Sequence, residues 1–235
     1  MSGGVDSSVA AARLRDEGHE VVGIFLRTGV PAPAAGSTAR RCCSVEDGLD
    51  ARRVADRLGI AFYEVNFARH FGRIVEDFVS EYAAGRTPNP CVRCNQWLKF
   101  DAFWEAAAAA GAEGMATGHY ARTGARDGRR TLLRARDPRK DQSYVLFPLT
   151  QEALGRTCFP LGGSTKEEVR AEARRRRLAV ADKPDSQEIC FLPSPGDKAR
   201  LLAARGLARA GPIRDTAGRH LGTHAGVAHY TVGQR

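Results

Sequence analysis

The chain has no apolar run long enough to cross a membrane, which excludes a membrane-spanning helix and any membrane partner built on one. It has no apolar leader either, since Met1 runs straight into Ser, Gly and Asp, so a cytoplasmic location is expected. No Gly-Lys-Ser/Thr ending follows its glycine-rich start, which excludes a Walker A phosphate loop. Internal repeats and low-complexity tracts are missing, apart from the alanine run Ala106–Ala110, a strong helix former. A disulfide framework is not expected: in a reducing compartment, 6 cysteines read as chemistry or metal binding. What is present is a globular composition, 43% apolar and 27% charged over 235 residues, enough for a large domain and part of another.

The most informative stretch is the start, Met1-Ser-Gly-Gly-Val-Asp-Ser-Ser8. Gly3 and Gly4 let the backbone turn tightly and approach a ligand. Ser2, Ser7 and Ser8 offer hydroxyls, and Asp6 can hold a magnesium ion or cap the helix that follows. The N–H groups of such a loop and the positive end of the helix dipole make an anion site.

Net charge is +9, concentrated between Arg122 and Lys140 and again at Arg174–Arg177. Such patches fit a polyanion, because neutralised phosphates release counterions. Arginine bias decorating a solvated face gives the same count.

Apolar periodicity predicts helices over 7–17, 45–58, 71–84 and 95–110, with strands over 19–26, 60–65 and 114–117 between them. Val45, Leu49, Val54 and Leu58 are the expected inner face of the second helix. Residues 85–90 are expected as loop, because Pro88 and Pro90 exclude helix interior. A hairpin is expected over 120–135 with Asp127-Gly128 as its turn, and a capping box at Ser164 or Thr165 opens a helix to about Arg177. Strand–helix alternation implies an α/β fold with a doubly wound, mostly parallel sheet, in which ligands bind beyond the carboxyl ends of the strands. Composition changes after Phe191, so residues 1–193 are expected as one domain and 194–235 as the start of a small, β-rich second one. A phosphate loop of this type normally follows a buried central strand. The first strand is therefore expected to be missing, and Tyr230–Arg235 to fall in mid-domain, as in a fragment.

The pattern Ser2-Gly-Gly-Val-Asp-Ser-Ser8 resembles the PP-loop of ATP pyrophosphatases, which adenylate a substrate oxygen and release pyrophosphate. Four motifs follow it: Thr87-Pro-Asn-Pro-Cys-Val-Arg-Cys-Asn95 with Lys99-Phe100, Ala116-Thr-Gly-His-Tyr-Ala-Arg122, Lys140-Asp-Gln-Ser-Tyr144, and Asp185-Ser-Gln-Glu-Ile-Cys-Phe191. In this order, over essentially the whole chain, they resemble the tRNA-specific 2-thiouridylase family. The resemblance implies the PP-loop type of α/β fold, with the family's C-terminal barrel absent. It also implies that ATP, with Mg2+, adenylates the 2-oxygen of a wobble uridine in tRNA, and that a cysteine persulfide supplies sulfur. By the same resemblance Cys94 is the nucleophile and Cys190 the persulfide carrier. Ser2, Gly3, Gly4, Val5, Asp6, Ser7, Ser8, Leu26 and Gly118 meet ATP. Asn89, Pro90, Cys91, Lys140, Asp141 and Gln142 meet tRNA. A persulfide donor protein from a cysteine desulfurase relay is the implied partner.

The residue types suit that work. Sulfur delivery needs a thiolate, and Cys94 is expected just before a helix beside Arg93 and Lys99, which favour the anion. A second cysteine can resolve a persulfide by exchange, leaving a Cys94–Cys190 disulfide to be reduced. Lys140 can stabilise charge on phosphate, and Gln142 has the donor and acceptor to read a uracil edge. His119 is read either as a phosphate contact or as structural. Many family members have Asp where this chain has Cys91. Cys91, Cys94 and Cys190 are then also candidate ligands of a [4Fe-4S] cluster with one open iron. Cys42-Cys43 reads as incidental, and Cys158 as a buried small hydrophobe. Two other readings stay open: another PP-loop adenylating enzyme, or a tRNA-binding fragment without catalysis.

Overall fold

Small residues in the first helix decide how the rest packs. Helix α1 (Val5–Asp16) carries Val9, Ala10, Ala11 and Ala12, all buried, so neighbours can approach it from several sides. The computed structural model that shows this describes residues 1–30, 44–185, 189–192, 194, 196–226, 229, 230 and 233. Cys42-Cys43, Ser186–Glu188 of the last motif, the expected boundary at Pro193 and most of Tyr230–Arg235 lie outside them.

Strand β1 (Val22–Arg27) pairs in parallel with β2 (Ala61–Asn66) through helix α2 (Val45–Leu58). β1 begins later than the apolar run suggests, because the His19 N–H donates to Leu14 O and Gly18 turns at φ +89° to close α1 first. The buried face of α2 is Gly48, Ala51, Val54, Ala55 and Leu58, whereas Val45 and Leu49 are exposed. Small residues displace larger ones there because Gly48 lies against the Phe25 ring.

Helix α3 (Ala68–Ala83) buries Phe71, Ile74, Phe78 and Tyr82, close to the expected face. The predicted 95–110 helix begins sooner and is wound differently. Pro90 opens helix α4 (Pro90–Arg93) at its first position, where its missing N–H costs nothing, and Asn89 caps it. A π-helix over Cys94–Ala102 follows, and then α5 (Phe103–Ala109).

Strand β3 (Met115–Ala116) pairs in parallel with β6 (Thr157–Cys158), which α6 (Gln151–Gly155) precedes. The hairpin of β4 (Ala121–Arg126) and β5 (Arg129–Arg134) turns at Asp127-Gly128, both at positive φ (50° and 70°), as a two-residue turn of this chemistry requires. Thr165 and Glu168 form the expected capping box of α7 (Lys166–Arg175). Helix α8 (Asp197–Ala204) buries Leu202 in a cluster with Phe78 and Tyr82 of α3, and an antiparallel pair, β7 (Gly211–Arg214) and β8 (His220–His224), follows.

The parallel pairs and their helical crossovers give the α/β fold expected. Among the described residues β1–β2 and β3–β6 are separate 2-stranded sheets, and the Met1 amino group donates to Ile24 O on β1. The largest core cluster lies beneath α1 and α7 and joins Val9, Leu161, Val169 and Val180, each at most 1% exposed. Full burial of side chains of this size stabilises by about 1.5–3 kcal/mol each, which fixes α1 and hence the loop that precedes it.

Candidate functional site

The phosphate-type loop is built by its own serines and two glycines. Ser7 Oγ accepts from the Ser2 N–H at 3.0 Å, and Ser8 Oγ donates to Gly4 O at 2.8 Å. Gly3 has φ +69°, and a Cβ there would sit 2.2 Å from Asp47 O at the start of α2. Gly4 is the N-cap of α1 and makes no side-chain capping bond, which leaves first-turn N–H groups of the kind that bind anions at helix starts.

A cleft of about 620 Å³ opens at this loop, within the size range of ligand sites. Its lining includes Ser2, Gly4, Val5, Asp6 and Ser7 of the loop and Leu26 of β1. Pro90, Cys91, Cys94, Asn95 and Lys99 also line it. So do Gly118, His119, Lys140, Asp141, Gln142, Asp185 and Cys190. Gly3, Ser8 and Asn89 shape this lining rather than contribute to it. Asn89 Oδ1 accepts from the Cys91 N–H at 3.1 Å.

The two cysteines assigned by resemblance thus line the same cleft as the loop, although 96 positions separate 94 from 190 in the chain. Both are half-buried and pack in one cluster with Phe71, Ile74 and Leu98. The local setting of Cys94 differs from expectation. It lies inside a continuous helical segment rather than before one, because helix formation starts at Pro90; Cys91 occupies the first turn. Arg93 is turned to Asp77, 3.4 Å away, and stacks on Trp97 at 4.8 Å. π segments recur at functional sites, and here one of 9 residues begins at Cys94 itself.

Several expected contacts are already made within the protein. Gln142 Oε1 accepts from the Tyr120 N–H at 2.9 Å. Asp141 accepts from the Ala135 N–H at 2.8 Å and the Ser143 hydroxyl at 2.7 Å, so it shapes its loop. Lys140 is paired with Asp185 at 2.7 Å. Burial pushes the Asp185 carboxyl up, but hydrogen bonds from Lys140 and Lys166 outweigh it and hold the group below the ordinary carboxylate value. Asp6 accepts from the Tyr120 hydroxyl at 2.9 Å and from Lys166 at 2.7 and 2.8 Å. Lys183 holds Asp47 at 2.6 Å and Asp50 at 2.7 Å, tying α2 to the segment that carries Asp185.

His119 is buried with Nδ1 2.8 Å from Thr117 Oγ1, and packs in a triangle with the Phe100 and Phe159 rings. Burial first, then the nearby Lys99 charge, pushes its pKa well below 6.5, so the ring is neutral at pH 7. The unfolded chain takes up a proton there below pH 6.5 while the folded one does not, so stability is lost as pH falls through that window. Urea denaturation of His119→Gln at pH 7.0 and 5.5 is expected to show a smaller loss of stability on acidification than the parent, and an equal loss contradicts the assignment.

Among the described residues no group of three His, Cys, Asp or Glu side chains is placed to hold a metal ion. No chemistry is derived through the Cys91, Cys94 and Cys190 set. Cys158 is exposed rather than buried: the two-residue β6 turns Thr157 inward and leaves its neighbour outward. Lys166 and Lys183 were not singled out by sequence reasoning. Their only local signal is a lysine in the acidic end of a capped helix, and another just before Pro184-Asp185.

A family model described as tRNA methyl transferase HUP domain matches residues 1–194. The chain belongs to this family. A second model of the same series, the tRNA methyl transferase PRC-barrel domain, matches residues 200–235. Curated relatives of this HUP-domain chain carry a different activity in their names. It is 55% identical over 236 residues to the tRNA-specific 2-thiouridylase MnmA of Mycobacteroides abscessus, covering 100% of this chain and 65% of the relative. It is 54% identical over 236 residues to the protein of that name from Acidothermus cellulolyticus, with 100% and 65% covered. For Geotalea uraniireducens the figures are 55% over 243 residues, with 100% and 64% covered. The chain thus spans about 65% of the length of the curated relatives it matches. Among the described residues no helix is long and apolar enough to cross a membrane.

Proposed function

We propose that this chain carries the ATP and sulfur-transfer site of a tRNA-uridine 2-sulfurtransferase. The observation that supports this reading most is the shared cleft, which the phosphate-type loop lines together with Cys94 and Cys190. Relatives named 2-thiouridylase point the same way.

In this reading the N–H groups of residues 3–8 hold the ATP phosphates, with Gly118 behind the loop and Leu26 beside the adenine. A magnesium ion bound with the triphosphate would neutralise phosphate charge. Asp6 is the residue that would hold it, since an ionised carboxylate keeps acceptor capacity beyond its bonds to Lys166 and Tyr120. The uridine 2-oxygen attacks the α-phosphorus, pyrophosphate leaves, and the N3 proton is released to solvent. The adenylated oxygen is now a good leaving group. A persulfide on Cys190, delivered by a donor protein, attacks C2 through its terminal sulfur, and AMP departs. The Cys94 thiolate attacks the Cys190 sulfur, which frees the 2-thiouridine as its anion, reprotonated at N3 from solvent, and leaves a Cys94–Cys190 disulfide. An external dithiol takes up that oxidation and returns both cysteines to thiols. Asn89, Pro90 and Cys91 at the start of α4, with Lys140, Asp141 and Gln142 across the cleft, are the tRNA-facing segments. Gln142 has its amide N–H groups to offer, because its carbonyl serves Tyr120.

The first half of the reaction has its own test. Pyrophosphate release from ATP is expected to depend on added tRNA and to proceed without any sulfur donor. Release that is indifferent to tRNA contradicts the reading.

A further inference from the structure

Lys166 occupies a position hostile to a cation. It is the first residue of α7, at the positive end of the helix dipole, and its side chain is only 8% exposed. Two carboxylates distant in sequence offset this. Nζ lies 2.7 and 2.8 Å from the Asp6 oxygens and 2.8 Å from Asp185 Oδ1. Its N–H donates to Asp137 Oδ2 at 3.1 Å, and the Tyr120 ring lies 5.7 Å from its ammonium. Asp185 is also held by Lys140 at 2.7 Å and by Arg170 at 2.9 Å. Three cations, Lys166, Lys140 and Arg170, are thus gathered around Asp6 and Asp185, with the Asp137 carboxylate on the Lys166 main chain.

The two carboxylates belong to different parts of the site. Asp6 is in the first turn after the phosphate-type loop. Asp185 precedes the turn closed by the Leu192 N–H on Ile189 O, which carries Cys190. Among the described residues, Lys166 is the side chain that reaches both. An ammonium has three donors to share, so a change in its bond to Asp6 alters its hold on Asp185.

We infer that Lys166 is a positioning residue that couples occupancy of the phosphate loop to the placement of the Cys190 turn. Its purpose in sulfur delivery rests on the function proposed above; the bridge itself does not.

Hydrogen–deuterium exchange with and without Mg-ATP tests the coupling. In the parent protein ATP slows amide exchange both at residues 2–8 and at 189–192. In Lys166→Met ATP still slows exchange at 2–8 but no longer at 189–192, and Lys166→Arg restores the response. In turnover with ATP saturating, Lys166→Met loses about 100-fold in sulfur transfer, the scale of a small misplacement of reacting groups, and Lys166→Arg recovers most of it. Full ATP-induced protection at 189–192 in Lys166→Met overturns the inference. If ATP protects neither segment of the parent, the ATP reading fails instead. The bridge is then judged without nucleotide: Lys166→Met must speed exchange at 189–192, and unchanged exchange overturns it. A thermal melt of Lys166→Arg controls for folding.

Discussion

Cys94→Ser is expected to abolish 2-thiouridine formation, by about 10³-fold or more, and to leave tRNA-dependent pyrophosphate release within about threefold. The reason is a division of labour within one cleft. In the proposed reading adenylation uses the N–H groups of residues 3–8 at the start of α1, whereas Cys94 lies on a different element, the π-helix that follows α4. Release of sulfur needs a thiolate, and a serine hydroxyl of nearly the same shape neither ionises near pH 7 nor exchanges with a persulfide. Cys190→Ser is expected to give the same split. Radiolabelled sulfur in tRNA and pyrophosphate release, measured on one preparation, check both arms. Equal loss of both half-reactions would mean that Cys94 supports the fold of the cleft rather than its chemistry, and full activity would remove it from the mechanism.

Gly118→Ala is expected to weaken ATP binding by about 100-fold while costing about 1–3 kcal/mol in stability. The added Cβ would stand 2.6 Å from Ser7 N and 2.8 Å from the Asp6 carbonyl carbon. Both are backbone atoms of α1's first turn, so the loop cannot yield by rotating a side chain. The N–H groups that would grip phosphate are the ones displaced. Gly72→Ala is the matching control, because its Cβ meets nothing within 4 Å on an exposed face of α3. It is expected to stabilise by up to about 1 kcal/mol through helix propensity and to leave ATP affinity unchanged. Calorimetric titration of both variants with ATP checks the pair. Normal affinity in Gly118→Ala would mean that the nucleotide does not use this loop.

The parts of the molecule legible in the sequence were those written in local pattern. The loop from Ser2 to Ser8, the Asp127-Gly128 turn and the Thr165–Glu168 capping box each lie within a few residues, and each forms as its chemistry demands. Pro90 was misread because proline forbids helix interior but suits a helix start, and sequence alone did not place the start. Cys158 looked buried among apolar neighbours, yet a two-residue strand shows one side chain to each face. The ion network was the least legible. Asp6 was expected as a magnesium ligand or helix cap, and its partner Lys166 lies 160 positions away. No local periodicity encodes a pairing of that range; only the packing of α7 against α1 brings it about.

The measurement that bears most directly on the central claim is mass spectrometry of nucleosides from digested tRNA, taken from a host without its own 2-thiouridylase that expresses this chain. The account predicts 2-thiouridine in the parent strain and none when Cys94 or Cys190 is serine. If the Cys94→Ser and Cys190→Ser strains yield as much 2-thiouridine as the parent, the cleft described above is not where sulfur is transferred.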